Sequence, residues 1–482
     1  MAFDPIQMLL PILIIFDLAA ITYVVFFERR DPANATVWIL ALVFIPFFGF
    51  ILYLLFGQHY FKQRDFRLKA KEDQEVIQHF LIEQKADLAR VRGELVGSER
   101  EGALQTIKLL QADNDALVTE GNEVRSFVRG QDKFDALLAA IKEAKHHIHM
   151  EYYLIRNDKL SREIVAALTE KARQGVEVRL LFDDFGNKMP KKGYKELIDA
   201  GGKVAPFYKV LIPAITLLIN YHNHRKIAII DGRIGFIGGF NIGVEYLGKG
   251  PLGWWRDTAV EIRGTAACAL QLRFFLDWNY ATKENLSLVP DYFPMEKGTG
   301  DAHIQIVNGG PDTLWSPIKE EYLKLINIAK NTVYLQTPYF IPDQSVLDAL
   351  RIAALSGVDV RIMFPCKPDH PFVYWASYSY VGELLSAGVK AYTYDNGFIH
   401  AKTITVDDKI SSIGTANWDI RSFRLNFETN AVIYDEGFAK KQREIFLEDL
   451  RVCTLITDEI YRQRKLSVKV KEGISRLLSS VL

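Results

Sequence analysis

Two long apolar runs open the chain, and the hydrophobic pattern changes character after them. Residues 6–27 and 37–56 are runs of about 22 and about 20 mainly apolar positions, and a bilayer-spanning helix needs about 20. Residues 1–7 contain no Lys or Arg, and 23–30 offer no small-residue cleavage site, so a removable signal peptide fits poorly. The pattern predicts a transmembrane helical hairpin over residues 1–60. The connection 28–36 carries Arg29 and Arg30, whereas the flank after the second run carries Lys62, Arg64, Arg67, Lys69 and Lys71. The richer basic flank predicts a multi-pass protein of the cell membrane with all that follows in the cytoplasm. Asp17 falls inside the first run, where a carboxyl group must face protein or give up its charge.

From 61 to about 120 the chain is charge-rich and poor in Pro. Phe80, Leu81, Leu88, Val91 and Leu95 recur loosely at helical spacing, which predicts a helical connector ending near Gly121-Asn122. Beyond it a pattern occurs twice. Gly175-Val-Glu-Val-Arg-Leu-Leu-Phe and Gly357-Val-Asp-Val-Arg-Ile-Met-Phe each read as a helix-ending glycine followed by a buried strand. Ala144-Lys145 and Ala329-Lys330 each close a helix and open an earlier strand. Helices alternating with apolar strands predict an α/β sandwich in each half. The halves, 121–295 and 296–482, are parted by a stretch rich in Pro, Gly and charge. A two-fold duplicate implies pseudo-two-fold symmetry and one site at the junction.

Composition narrows the partners. The chain has 482 residues, with 59 basic and 59 acidic, a balance that argues against nucleic acid. Cys268, Cys366 and Cys453 are too scattered for a disulfide framework or a metal site.

The candidate chemistry lies in a second pair of matched segments. His224-Arg-Lys226-Ile-Ala-Ile-Ile-Asp231 and His400-Ala-Lys402-Thr-Ile-Thr-Val-Asp407 share the spacing HxKxxxxD. Gly238, Gly239 and Asn241 follow the first, and Gly414 and Asn417 the second. Residues i and i+2 of a strand share a face, so each His and Lys point the same way. Two such strand ends facing each other would surround one phosphate. One imidazole can attack phosphorus and the other can shuttle the proton. Lys226, Lys402, Asn241 and Asn417 can hold the non-bridging oxygens, an arrangement that requires neither metal nor cofactor. A nucleophilic imidazole needs its other nitrogen held by a carboxylate. Asp257 and Glu428 stand at like positions after the two motifs, and the expected pairing is Asp257 with His224 and Glu428 with His400. Asp231 and Asp407 complete the motifs and join the candidate catalytic set, although each sits at a turn where a carboxylate also caps or salt-bridges. His146, His147 and His149 lack metal-like partners and read as structural.

These segments resemble the phospholipase D superfamily, whose signature is two HxKxxxxD motifs followed by Gly and Asn. The likeness extends to the bacterial cardiolipin synthases, through Arg30-Asp-Pro-Ala-Asn-Ala-Thr-Val-Trp, Pro46-Phe-Phe-Gly-Phe-Ile-Leu-Tyr-Leu-Leu-Phe-Gly57, Asn223-His-Arg-Lys226 and Thr337-Pro-Tyr-Phe-Ile-Pro-Asp343. It covers nearly the whole chain. It implies two tandem phospholipase D-like halves behind the hairpin. It also implies a metal-independent transfer of a phosphatidyl group between two phosphatidylglycerols, giving cardiolipin and glycerol. With water as acceptor the same residues would make a phospholipase D, and a degenerate site would leave a membrane scaffold. The apolar stretch 210–219 runs almost into the first motif and could admit an acyl chain, which favours His224 as the nucleophile. Near the C-terminus, Arg462, Arg464, Lys465, Lys469 and Lys471 precede 474–482, either as a basic lipid contact or as a solvated tail. The donor lipid's full range and self-association into a homo-oligomer stay open.

Overall fold

Runs of branched apolar residues bounded by turn signals become the strands of one large sheet. The computed structural model describes residues 5–26, 32–53, 69, 71–73, 101–208 and 221–479. The chain divides into two units, residues 1–72 with 209–221, and residues 73–208 with 222–482.

In the larger unit, the described residues form a sheet of 15 strands. From its middle outward the first half runs Val118–Phe127, Ala259–Arg263, Ile234–Gly238, Lys226–Ile230, His147–Tyr152, Glu177–Phe182 and Lys203–Pro206. The second half repeats that order in the opposite direction: Ala302–Gly309, Glu428–Tyr434, Ile410–Gly414, Thr403–Val406, Thr332–Gln336, Asp359–Pro365 and Lys390–Tyr394. Cys453–Ile456 is added at the second half's edge. The halves join where Val118–Phe127 pairs antiparallel with Ala302–Gly309. Matching strand orders about this seam give the pseudo-two-fold arrangement that the repeat predicts.

Parallel neighbours need a crossover. The helices Lys159–Arg173 and Gln344–Leu355 supply it in the two halves. Each starts at an aspartate whose carboxylate accepts a backbone N–H of the first turn, Asp158 from Ser161 and Asp343 from Val346. The helices bury their apolar faces on the sheet around Ile148, Leu180 and Phe236 in one half and Val333, Ile362 and Val432 in the other. The helix Glu101–Asn114, within the stretch read as connector, packs Ile107 and Leu110 into the second half's core. Most of the remaining connector lies outside the described residues, as does the apolar stretch 210–219.

In the smaller unit, helices Pro5–Phe26 and Pro32–Phe44 precede the short helix Phe48–Leu52. Asp17 is buried and accepts the backbone N–H of Phe47 at 3.4 Å, where the chain breaks with a positive φ of 69°. Val24, Leu42 and Tyr53 are buried together. Phe16, Leu18, Phe26, Val37, Phe44 and Phe48 are exposed. Among the described residues no helix is long and apolar enough to cross a membrane.

Candidate active site

The two motif strands start on either side of the seam, and each places its His just before the strand and its Lys at or near the first position. Lys226 Nζ donates to the carbonyl of His224 at 2.5 Å, and Lys402 Nζ does the same to His400. The motifs share one electrostatic site. The charges of both lysines reach His400, and Lys402 also reaches His224 and Lys226. All four side chains are buried, with His224 8% and His400 6% exposed.

The orienting acids are crossed between the halves. Glu428 accepts from His224 Nδ1 at 2.9 Å, and Asp257 accepts from His400 Nδ1 at 2.6 Å. This reverses the pairing expected from the sequence, and the backbone shows why. The amide of His224 donates to the carbonyl of Phe427, the residue before Glu428, at 2.9 Å. The amide of His400 donates to the carbonyl of Arg256, the residue before Asp257, at 2.7 Å. Phe398–Ile399 pairs in parallel with Trp255–Arg256, and Asn223 bridges Phe427 in the same sense. Each His therefore enters its site zipped to the strand that carries the other half's acid.

Arg225 locks the first crossing. It is buried, donates to Asp277 at 2.6 Å, and reaches the second-half carbonyls of Glu428 at 3.2 Å and Gly309 at 3.3 Å. Gly239 makes room for the other crossing, because a Cβ there would strike the Asp257 carboxylate.

The two acids are not equivalent. Glu428 also accepts from Thr415 Oγ1 at 2.6 Å, Ser422 Oγ at 2.9 Å and Asn426 Nδ2 at 3.2 Å. Burial acts to raise its proton affinity, but His224, Lys226 and Thr415 outweigh burial and hold it below the ordinary carboxylate range. Asp257 has the Thr258 amide at 2.7 Å, and burial pushes it up to about 7 against the pull of Lys402.

Burial likewise lowers the bases. His224 falls to about 4 despite Glu428, and His400 falls well below its usual value with Lys402 and Lys226 adding to the effect. Lys226 is lowered to about 7 and Lys402 to about 8, again by burial first. A neutral imidazole whose Nδ1–H donates a hydrogen bond to a carboxylate keeps a lone pair on Nε2, the form a nucleophile or base requires.

Asn241 and Asn417 are buried, and the Oδ1 of each lacks a hydrogen-bond partner among the described residues. Asn241 Nδ2 donates to Tyr246 Oη at 3.1 Å, and the Asn417 amide donates to Ser422 Oγ at 3.1 Å. Tyr246 and Ser422 both stand five residues after their asparagine.

Asp231 and Asp407 do not join this group, which corrects their inclusion in the candidate catalytic set. Each lies past the far end of its strand, about 16 Å along from the motif lysine at ~3.3 Å per residue. Asp231 accepts three amides, from Lys145 and His146 at 2.8 Å and His147 at 2.9 Å. Asp407 accepts those of Lys330, Asn331 and Thr332, all at 2.7 Å. The motif aspartate pins the start of the neighbouring strand.

His147 and His149 are buried in that neighbouring strand, and burial drives His147 down to about 2. His149 stacks on Phe274 at 4.6 Å. Among the described residues no group of three or more His, Cys, Asp or Glu could hold a metal ion.

Sequence reasoning missed the aromatic walls. The Tyr153 ring lies 4.9 Å from that of His224 and 5.4 Å from Lys226 Nζ, and Trp255 lies 5.4 Å from His400. Tyr339 donates to Asp369, whose charge is felt at His400 and Lys402. Tyr153 and Tyr339 each precede a capping aspartate by a similar interval, so the internal repeat could have flagged them.

The fold and the paired His–Lys sets define a two-motif phosphodiester-transfer protein of the phospholipase D kind. The family model described as cardiolipin synthase, PLD-like domain, matches residues 137–254 and 322–450, and a phospholipase D-nuclease N-terminal model matches 15–58. The chain is 48% identical to the major cardiolipin synthase of Bacillus subtilis, over 99% of each chain. It is 47% identical to a cardiolipin synthase of Staphylococcus aureus, over 95% of this chain and 93% of that one. This chain belongs to the bacterial cardiolipin synthase family. Its fold is also that of a phosphatidylserine synthase from Haemophilus influenzae, at TM-score 0.61 and 14% identity, covering 78% of this chain and all of that one.

Proposed function

We propose that the chain transfers a phosphatidyl group from one phosphatidylglycerol to another, making cardiolipin and releasing glycerol. The observation that carries the reading is the pair of buried histidines, each hydrogen-bonded to a carboxylate of the opposite half. His224 Nε2 attacks phosphorus and the bond to the glycerol oxygen breaks. His400 delivers a proton to that oxygen, and glycerol leaves. The phosphate anion entering between Lys226 and Lys402 offsets their charges and restores the proton affinity that His400 lacks in the empty site. The second lipid's hydroxyl then gives its proton to His400 and attacks phosphorus, and the phosphorus–nitrogen bond to His224 breaks. Lys226, Lys402, Asn241 and Asn417 hold the non-bridging oxygens throughout.

His224 is assigned as nucleophile because Glu428, with four side-chain donors, stays ionised and holds one tautomer. Asp257, close to neutral pH in its proton affinity, suits a histidine whose proton comes and goes.

The exposed apolar side chains of the smaller unit support a membrane-embedded hairpin, in which one oxygen of Asp17 accepts from the Phe47 amide. The catalytic unit then works at the cytoplasmic face.

Incubation of the purified protein with labelled phosphatidylglycerol tests the reaction. Cardiolipin with stoichiometric glycerol is expected. Phosphatidic acid as the only product would make the chain a hydrolase.

A further inference from the structure

The C-terminal helix Leu466–Leu477 is amphipathic with its faces reversed. The side against the body is polar. Glu472 and Ser475 are buried, and Glu472 accepts from Arg464 Nε at 2.6 Å and Tyr461 Oη at 3.2 Å. Arg476 pairs with Glu383, and Tyr380 Oη donates to Ser479 Oγ at 3.0 Å. The segment is therefore docked, not a loose tail.

Its outward side is apolar. Leu466, Val470, Ile474 and Leu477 are 76%, 52%, 51% and 84% exposed, and their spacing of four, four and three residues makes one stripe. At 100° per residue, Lys469 falls on one edge of that stripe and Lys471 on the other. Lys471 sits 5.1 Å from the Trp375 ring. A helix at a water-facing surface does the opposite, burying its apolar stripe in the core. An apolar stripe edged by ammonium groups fits an interface whose interior is hydrocarbon and whose rim is anionic.

We infer that Leu466–Leu477 lies in the surface of an anionic lipid bilayer, with Leu466, Val470, Ile474 and Leu477 among the acyl chains and Lys469 and Lys471 at the headgroups. This attachment is separate from the N-terminal hairpin. It belongs to the catalytic unit itself, because it packs on the helix Pro371–Leu385, which follows closely on Asp369, whose charge is felt at His400 and Lys402. The inference extends the lipid reading to a part of the chain outside the site.

The hairpin would hold the chain on vesicles in any case, so the test reads depth and not binding. Full-length protein with Ile474→Cys carries an environment-sensitive fluorophore in vesicles of phosphatidylglycerol and phosphatidylcholine. Unsubstituted protein supplies the background from Cys268, Cys366 and Cys453. Brominated acyl chains should quench most of the added signal, and Lys469→Glu with Lys471→Glu should reverse this. A label quenched by aqueous iodide and untouched by brominated lipid overturns the inference. So does a label shielded from both, which would assign the stripe to a protein partner or a second copy. Cardiolipin formation, assayed on the same vesicles, reports on the proposed reaction separately.

Discussion

The two halves are near copies where they support the sheet and differ where they do chemistry. At the strand ends away from the site, Asp231 and Asp407 have φ of 53° and 51° and each gathers three consecutive amides. At the site end, Glu428 has four side-chain donors and stays ionised, whereas Asp257 is pushed up to about 7. Position five after the motif asparagine is Ser422 in one half, feeding Glu428, and Tyr246 in the other, 3.4 Å from His400. The supports of the two sheet halves match, whereas the surroundings of the two histidines differ, as the proposed division into nucleophile and proton carrier requires.

The largest effect tests whether both halves are needed at all. His224→Ala and His400→Ala should each reduce transfer by at least ~10² to 10⁴-fold. Near-normal turnover in either would end the shared-site reading. Labelled phosphatidylglycerol should accumulate slowly on His224 in the His400→Ala protein, because attack can proceed slowly without the proton that His400 gives to glycerol, while the second step lacks its base. Label on His400 in the His224→Ala protein would invert the comparison.

Next in size are the acids. Glu428→Gln should cost between ~10² and ~10⁴-fold, the upper figure being what a wrong tautomer costs in a histidine–carboxylate pair. It should slow the appearance of the His224 adduct. Asp257→Asn should cost less and slow the adduct's decay. Rapid-quench kinetics with the two phases exchanged would make His400 the nucleophile and His224 the proton carrier.

The acids also set a pH signature. Asp257 has a raised proton affinity, so it loses its charge, and its hold on the His400 Nδ1 proton, as pH falls through about 7. Lys226 and Lys402 lose their charges as pH rises through about 7 and about 8. The profile of kcat/KM should be a narrow bell, and Asp257→Asn should remove its acid limb alone. An unchanged acid limb would assign it elsewhere.

At the matched end of the halves the effect moves from rate to stability. Asp231→Asn and Asp407→Asn should each destabilise the fold by ~1.5–3 kcal/mol, the worth of hydrogen bonds to a charged group, with kcat close to wild type. Denaturant midpoints and turnover on the folded fraction separate the two. A loss of kcat without a loss of stability would return these residues to the site.

The smallest effect is none. Excess chelator should leave turnover intact, because Lys226, Lys402, Asn241 and Asn417 supply the charge stabilisation. Loss restored by one divalent ion, in detergent micelles as in vesicles, would place a metal between the halves.

Much of this was legible in the residues. The repeated glycine-strand segments, Gly175 with Glu177–Phe182 and Gly357 with Asp359–Pro365, gave the duplicated α/β pattern because local periodicity is set by the sheet face a residue must line. The motif residues were legible through their repetition. The crossing was not, since nothing in a linear order says that Phe427 will bond to the backbone of His224 across 203 positions. Asp231 misled for a related reason. It is close to His224 along the chain, yet the extended strand between them carries it to the opposite end of the sheet.

The crossed acids change what counts as a functional unit. One half alone would hold a histidine and an acid that cannot reach each other, and would be inert as a monomer. Two copies of one half, set about a two-fold axis, would each lend the other its carboxylate and complete both dyads at once. The single chain is thus organised as a dimer whose subunits share one polypeptide. Defective chains carrying complementary lesions, one in each half, should rescue each other only if their halves can exchange.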